Sequence, residues 1–139
     1  MKKLSVFLLF ALLVSSFLQP VRAESGETGA EESAEIRSGS CGEYVDWVLE
    51  GDTLTISGSG DMYWYDMGSA PWYPLRSGVR RVVVEEGVTD VTYSAFFYFT
   101  DLVEVLLPHS ITELGGMAFY GCAALPRIYV PAQVTEIGD

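Results

Sequence analysis

The second half of this chain repeats itself every 23 residues, and that echo constrains the fold more than any other feature. From Val79, Leu102 and Leu125 onward, apolar residues recur in register: Val82, Val105 and Ile128, then Val84, Leu107 and Val130. Val88, Ile111 and Val134 follow, then Val91, Leu114 and Ile137. Thr89 returns as Thr112 and Thr135, and Ala95-Phe96 returns as Ala118-Phe119. A fixed period of roughly 20–50 residues marks stacked supersecondary units, each burying its apolar face on the next. Such an array offers an extended binding surface rather than a built catalytic pocket.

Within one repeat, Val105 and Leu107 alternate and so point to one side of a short strand. Pro108 ends that strand by removing an amide donor. Ile111 and Leu114 form the next apolar pair, Gly115-Gly116 permits a turn, and Met117, Ala118 and Phe119 bring apolar bulk back inward on a turn or brief helix. Strands of successive coils then stack in parallel at about 4.8 Å.

Residues 41–78 follow a different rule. Val45, Trp47 and Leu49 alternate with other residues, Gly51-Asp52 supplies turn chemistry, and Leu54 and Ile56 alternate again, which is a hairpin signal. Tyr63, Trp64, Tyr65, Trp72 and Tyr73 then crowd together, with Pro71 and Pro74 blocking regular structure. Two readings of this segment stand. An array of stacked coils needs a cap over the apolar end of its first coil, and the segment sits where that cap belongs. The alternative is a carbohydrate-binding platform built from the aromatic stretch 62–73.

The N-terminus carries export chemistry. Lys2 and Lys3 precede an apolar run from Leu4 to Leu18, and Val21-Arg22-Ala23 offers small residues for cleavage after Ala23. The run falls short of the roughly 20 residues that span a bilayer. Residues 1–23 therefore read as a signal peptide, and residues 24–40, rich in Glu, Ser, Gly and Ala, as a disordered acidic linker. Without residues 1–23 the chain keeps 8 − 3 = 5 basic residues against 19 acidic ones, a net charge of −14. That balance argues against nucleic acid and anionic membranes as partners, since both require clustered positive charge.

Catalytic chemistry finds little footing. The single histidine, His109, occupies a position taken by Glu86 one repeat earlier and lies opposite the stretch at Ala132 one repeat later. No metal-ligand spacing, phosphate-binding glycine loop or nucleotide fingerprint is present. The expectation is a non-enzyme without catalytic residues, cofactor or metal. Cys122 stands where the preceding repeat has Phe99, so it reads as buried apolar packing, and Cys41 and Cys122 are expected to be unpaired thiols.

The segment LVEVLLPHSITELGGMAFYGCAAL (102–125) resembles the BspA-type leucine-rich repeats of bacterial surface and secreted proteins. LPRIYVPAQVTEIGD (125–139) matches as far as it runs. VRRVVVEEGVTDVTYSAFFYFTDL (79–102) matches with Glu85 in place of proline, Tyr93 where Gly116 sits later, and Phe99 for cysteine. The preceding CGEYVDWVLEGDTLTISGSGDMYWYD and SAPWY resemble the lead-in to such repeats. The resemblance implies a β-rich, right-handed solenoid: a leucine-rich repeat with short parallel strands and 23-residue coils, two full and one truncated over 79–139, behind an N-terminal β-hairpin and aromatic cap. By analogy it implies adhesion, host or matrix contact, or protein binding by a bacterial secreted or cell-surface module. It carries no catalytic residues.

The repeat register also sorts the outward positions into columns. Arg81, Glu104 and Arg127 alternate in sign and should pair along the sheet. Val83, Leu106 and Tyr129 form an apolar stripe expected to face solvent, which makes it the best partner-contact candidate. Asp90, Glu113 and Glu136 stack like charges, expected to be solvated rather than metal-bound. The sequence reaches Asp139 about 15 residues into its third coil, counted in the 23-residue register. Leu125, Ile128, Val130, Val134 and Ile137 are then expected to line a partly uncovered end, available for self-association or for continuation of a longer protein of which this chain is a non-binding fragment.

Overall fold

The computed structural model describes residues 36–139. The expected signal peptide, 1–23, and most of the expected linker, 24–40, lie outside the described residues. The end of that linker requires correction. Arg37–Ser40 is a strand, β1, paired antiparallel with β2 (Val45–Glu50) from Arg37↔Leu49 to Ser40↔Asp46. All four residues of β1 are exposed, so the strand is held by its backbone ladder and leaves no apolar pattern to read. Small residues suit it, because a Cβ on Gly39 would stand 2.9 Å from the Trp47 indole nitrogen.

β2 and β3 (Thr53–Gly58) form the expected hairpin, with Glu50↔Thr53 closing a two-residue turn. Gly51 takes the left-handed conformation there, at φ 61°, which a primed hairpin turn requires of its first central residue. The alternation then becomes packing. Leu49 pairs with Leu54, Leu54 with Val82 of β4 (Arg81–Val84), and Val82 with Val105 of β6 (Glu104–Leu106). All four of these side chains are buried, so one apolar row runs across four strands. The sheet order is β1-β2-β3-β4-β6, antiparallel through the hairpin and parallel from β3 onward.

A second parallel sheet joins β5 (Asp90–Val91), β7 (Glu113–Leu114) and β8 (Glu136–Ile137). Its register, Val91↔Leu114↔Ile137, is the 23-residue period expressed as hydrogen bonding. Beside it each threonine donates backward twice. The backbone N–H of Thr112 reaches the Thr89 carbonyl at 2.8 Å and that of Thr135 reaches the Thr112 carbonyl at 2.9 Å. Each hydroxyl adds a longer bond to the same oxygen.

The hairpin stands in sequence 28 residues before β4, since Leu54 pairs with Val82 and Met62 N–H donates to Asp90 across the same interval. By Val79, whose N–H donates to the Arg76 carbonyl as that of Leu102 does to the Phe99 carbonyl, the interval is back to 23. Five extra residues (28 − 23 = 5) therefore lie between Met62 and Val79. The turn Asp66–Ser69 takes up part of them, with the Asp66 carboxylate accepting from Met67 N–H and the Asp66 carbonyl from Ser69. Residues 54–78 are thus a degenerate coil whose insertion conceals it from a search at period 23.

In the third coil, Tyr129, Val130 and Ile137 are exposed, as expected. The coil departs from expectation in one respect: residues 127–129 form no strand. The reason lies in Pro126, which holds the position of Val103 one coil earlier. Val103 N–H donates to the Arg80 carbonyl at 2.8 Å, and a proline has no hydrogen to give at that step of the ladder.

Candidate functional site

The outward face of β4 and β6 assembles two of the expected columns. Arg81 and Glu104 are in register and form an ion pair of 2.7 Å, with both side chains about half exposed. Val83 sits between Thr55 and Leu106 and is half-buried by them. Leu106 is 42% exposed and Tyr129 72% exposed. Arg127 does not extend a ladder with Glu104, because its segment is not a strand. Its guanidinium lies 5.4 Å from the centre of the Tyr129 ring instead, a cation–π contact. Val103, Glu104, Leu106, Pro126, Arg127 and Tyr129 bound a hollow of about 410 Å³ on this face.

The aromatic segment divides. Trp72 is fully buried and cannot form part of a platform, which corrects its place in the proposed stretch 62–73. It stacks on Phe96, which stacks in turn on Phe119, while Trp47 and Tyr65 meet Trp72 edge-on. Tyr65 and Tyr73 are half-buried. Tyr63 and Trp64 remain exposed, and Trp64 lies nearly parallel on Tyr93 with ring centres 5.7 Å apart.

The sequence reading overlooked a second aromatic group. Phe97 stacks on Tyr120 at 5.6 Å, and Tyr98 meets both rings edge-on. Phe97 and Tyr120 are 23 residues apart and therefore belong to the repeat. The recurrence of an aromatic residue directly after Ala95-Phe96 and Ala118-Phe119 carries that signal in the sequence.

The acidic column is in register, Asp90↔Glu113↔Glu136. Asp90 is half-buried, and its carboxylate accepts from Met62 N–H at 2.7 Å. Burial, reinforced by the neighbouring Asp61 and Glu113 carboxylates, pushes its pKa up to about 6 against the Met62 bond that opposes it. The Thr89 hydroxyl donates to Asp61. Among the described residues, no group of three or more potential metal ligands converges.

Cys41 and Cys122 are free thiols. Burial, with help from Asp46 and Asp90, pushes Cys41 up to about 12, and burial also raises Cys122. A nucleophilic cysteine needs the opposite shift. The Cys122 thiol donates to the Phe96 carbonyl at 3.2 Å. His109 is exposed, and its backbone N–H donates to Glu86. The neighbouring Ser110 hydroxyl is committed to the Val88 carbonyl and accepts from Gly87 N–H. These bonds tie coil to coil. Among the described residues, no helix is long and apolar enough to cross a membrane.

Residues 76–139 match the family model described as BspA type leucine rich repeat region (6 copies). Among solved structures, the chain is similar to a leucine-rich repeat protein from Eubacterium ventriosum, with a TM-score of 0.64 and 27% identity over 73% of this chain. This chain spans only 28% of that one. It also matches the T. pallidum leucine-rich repeat protein, with a TM-score of 0.47 and 20% identity, over 68% of this chain and 51% of that one. No curated protein matches the sequence.

Proposed function

We propose, from the premise that residues 76–139 are a BspA-type leucine-rich-repeat region, that this protein is a non-catalytic interaction module, exported to the cell surface or beyond, that binds a protein ligand. The ligand seats on the outward strand face at Val83, Leu106 and Tyr129, flanked by the Arg81–Glu104 pair and Arg127. The observation that carries this reading is the exposure of Leu106 and Tyr129, which line one hollow on the outward face. A tyrosine beside an arginine at the rim of a hollow is the composition of interface anchors. The hairpin and the Trp72 stack serve as the N-terminal cap of the array, and the apolar run at 4–18 directs export.

The test is capture of extracellular-matrix proteins, measured by surface plasmon resonance with the whole chain and with Leu106→Glu and Tyr129→Glu. Both side chains are exposed, so both variants should melt as the parent does while binding falls at least tenfold. Unchanged binding by folded variants rejects the strand face as the contact surface.

A further inference from the structure

Tyr73, Arg76, Ser77, Phe97, Tyr98 and Thr100 surround a trough of about 350 Å³ on the turn side of the first coil. We propose that this trough is a carbohydrate site that takes a neutral pyranose residue. It is separate from the strand face, since none of its six residues lies in a β-strand.

The walls carry the chemistry a sugar ring needs. A pyranose has an apolar C–H face and a rim of hydroxyls. Phe97 and Tyr98 supply aromatic surface, and Phe97 is held from behind by its stack on Tyr120. The Arg76 guanidinium lies 4.1 Å from the centre of the Tyr73 ring, and its Nη1 donates to the Tyr73 carbonyl at 3.0 Å. It is therefore a fixed planar donor group with further N–H bonds to offer. Ser77 and Thr100 add hydroxyls at the rim.

Backbone strain supplies a second, independent observation. Tyr98 adopts a left-handed conformation, with φ 56°. Its counterpart one coil later is Gly121, with φ 77°. The same turn is thus made elsewhere by the residue best suited to it. An aromatic residue is strongly disfavoured in that conformation. Ser94 and Met117, also one coil apart, share this left-handed conformation, so it belongs to the coil's turns. At Tyr98 alone it carries an aromatic side chain, and the residue, 44% exposed, stands at the trough. The charge balance selects the ligand class: over residues 36–139, five arginines face fourteen carboxylates, a field that repels polyanions.

Affinity electrophoresis of the whole chain through gels containing soluble β-glucan, xylan, galactomannan or polygalacturonate tests the proposal. At least one of the three neutral polysaccharides should retard the protein. Tyr98→Gly should weaken that retardation at least tenfold while its melting temperature stays level or rises, and Arg76→Gln should weaken it severalfold. Retardation by none of the neutral polymers, or by polygalacturonate alone, overturns the proposal. So does a Tyr98→Gly variant that binds normally, or one that melts well below the parent, since Tyr98 would then be structural. Because the strand face takes no part, loss of matrix-protein binding in Leu106→Glu leaves this result unaffected.

Discussion

The indole N–H of Trp72 donates to the Ala95 carbonyl at 2.7 Å, across the same 23-residue interval that separates the repeats. A residue outside the recognisable repeats is thereby tied to them. Trp72 also stacks on Phe96, 24 residues on, and Phe96 on Phe119, 23 residues further, so its ring begins their stack one position out of the strict period.

Trp72→Ala should cost about 3–5 kcal/mol, the usual range for emptying a large aromatic site in a core. Trp72→Phe keeps a ring on Phe96 but leaves the Ala95 carbonyl without its donor, which should cost about 1–3 kcal/mol. Urea denaturation followed by circular dichroism separates the two. Equal losses would mean that the bond, and not the stack, holds this end together.

Asp90 makes stability depend on pH in a direction opposite to that of a typical salt-bridged carboxylate. Its folded-state pKa, about 6, is above the ordinary value of 3.8. The folded state therefore binds the proton more tightly than the unfolded one. The resulting stabilisation is full below the ordinary value and is lost as pH rises through about 6. Asp90→Asn keeps an oxygen acceptor for Met62 N–H and removes the charge. It should be more stable than the parent at pH 8 by on the order of 1–2 kcal/mol, allowing for partial solvent access, with the gap closing toward pH 4. Thermal melts at pH 8, 6 and 4 check both sign and window.

Cys41 should resist alkylation at pH 8 in the folded protein, because the thiol is fully buried and its pKa is pushed up to about 12. In urea both cysteines should react at the rate of free thiols. Mass spectrometry of iodoacetamide-treated protein reads the number of labels. Fast native labelling of Cys41 would contradict its burial.

Pro126→Val should extend the first sheet into the third coil. The variant regains the N–H that Val103 uses toward Arg80 one coil earlier. One recovered backbone bond contributes about 0.5–1.5 kcal/mol. Hydrogen exchange should show new protection around residues 126–129, and the hollow beside Tyr129 should narrow.

The repeat core was legible because side-chain period and backbone register coincide. Val82↔Val105 and Val91↔Leu114↔Ile137 follow directly from the spacing of apolar residues. What stayed hidden has three physical causes. β1 buries no side chain and pairs through its backbone ladder, so its exposed Arg-Ser-Gly-Ser sequence carried no apolar pattern. The degenerate coil at 54–78 was concealed by five inserted residues, although Leu54 and Ile56 fall in the core rows of Val82 and Val84. Pro126 was read as an ordinary member of its repeat, when the atom it lacks decides whether a strand forms. Of the candidate site, the exposure of Leu106 and Tyr129 was legible in the sequence, while the packing of Tyr98 against Phe97 and Tyr120 needed the turns to be placed in space.

The coils are bonded to one another in both directions. Thr112 N–H donates back to Thr89 and Thr135 N–H back to Thr112, while on the turn side the N–H groups of Ser94, Phe96 and Tyr98 donate forward to Gly116, Ala118 and Tyr120. Each coil thus completes the one before it and is completed by the one after, so the interface between neighbours, more than the single coil, is the unit of stability. An interface that recurs in one form lets such a chain gain or lose whole turns over evolutionary time without redesigning the rest.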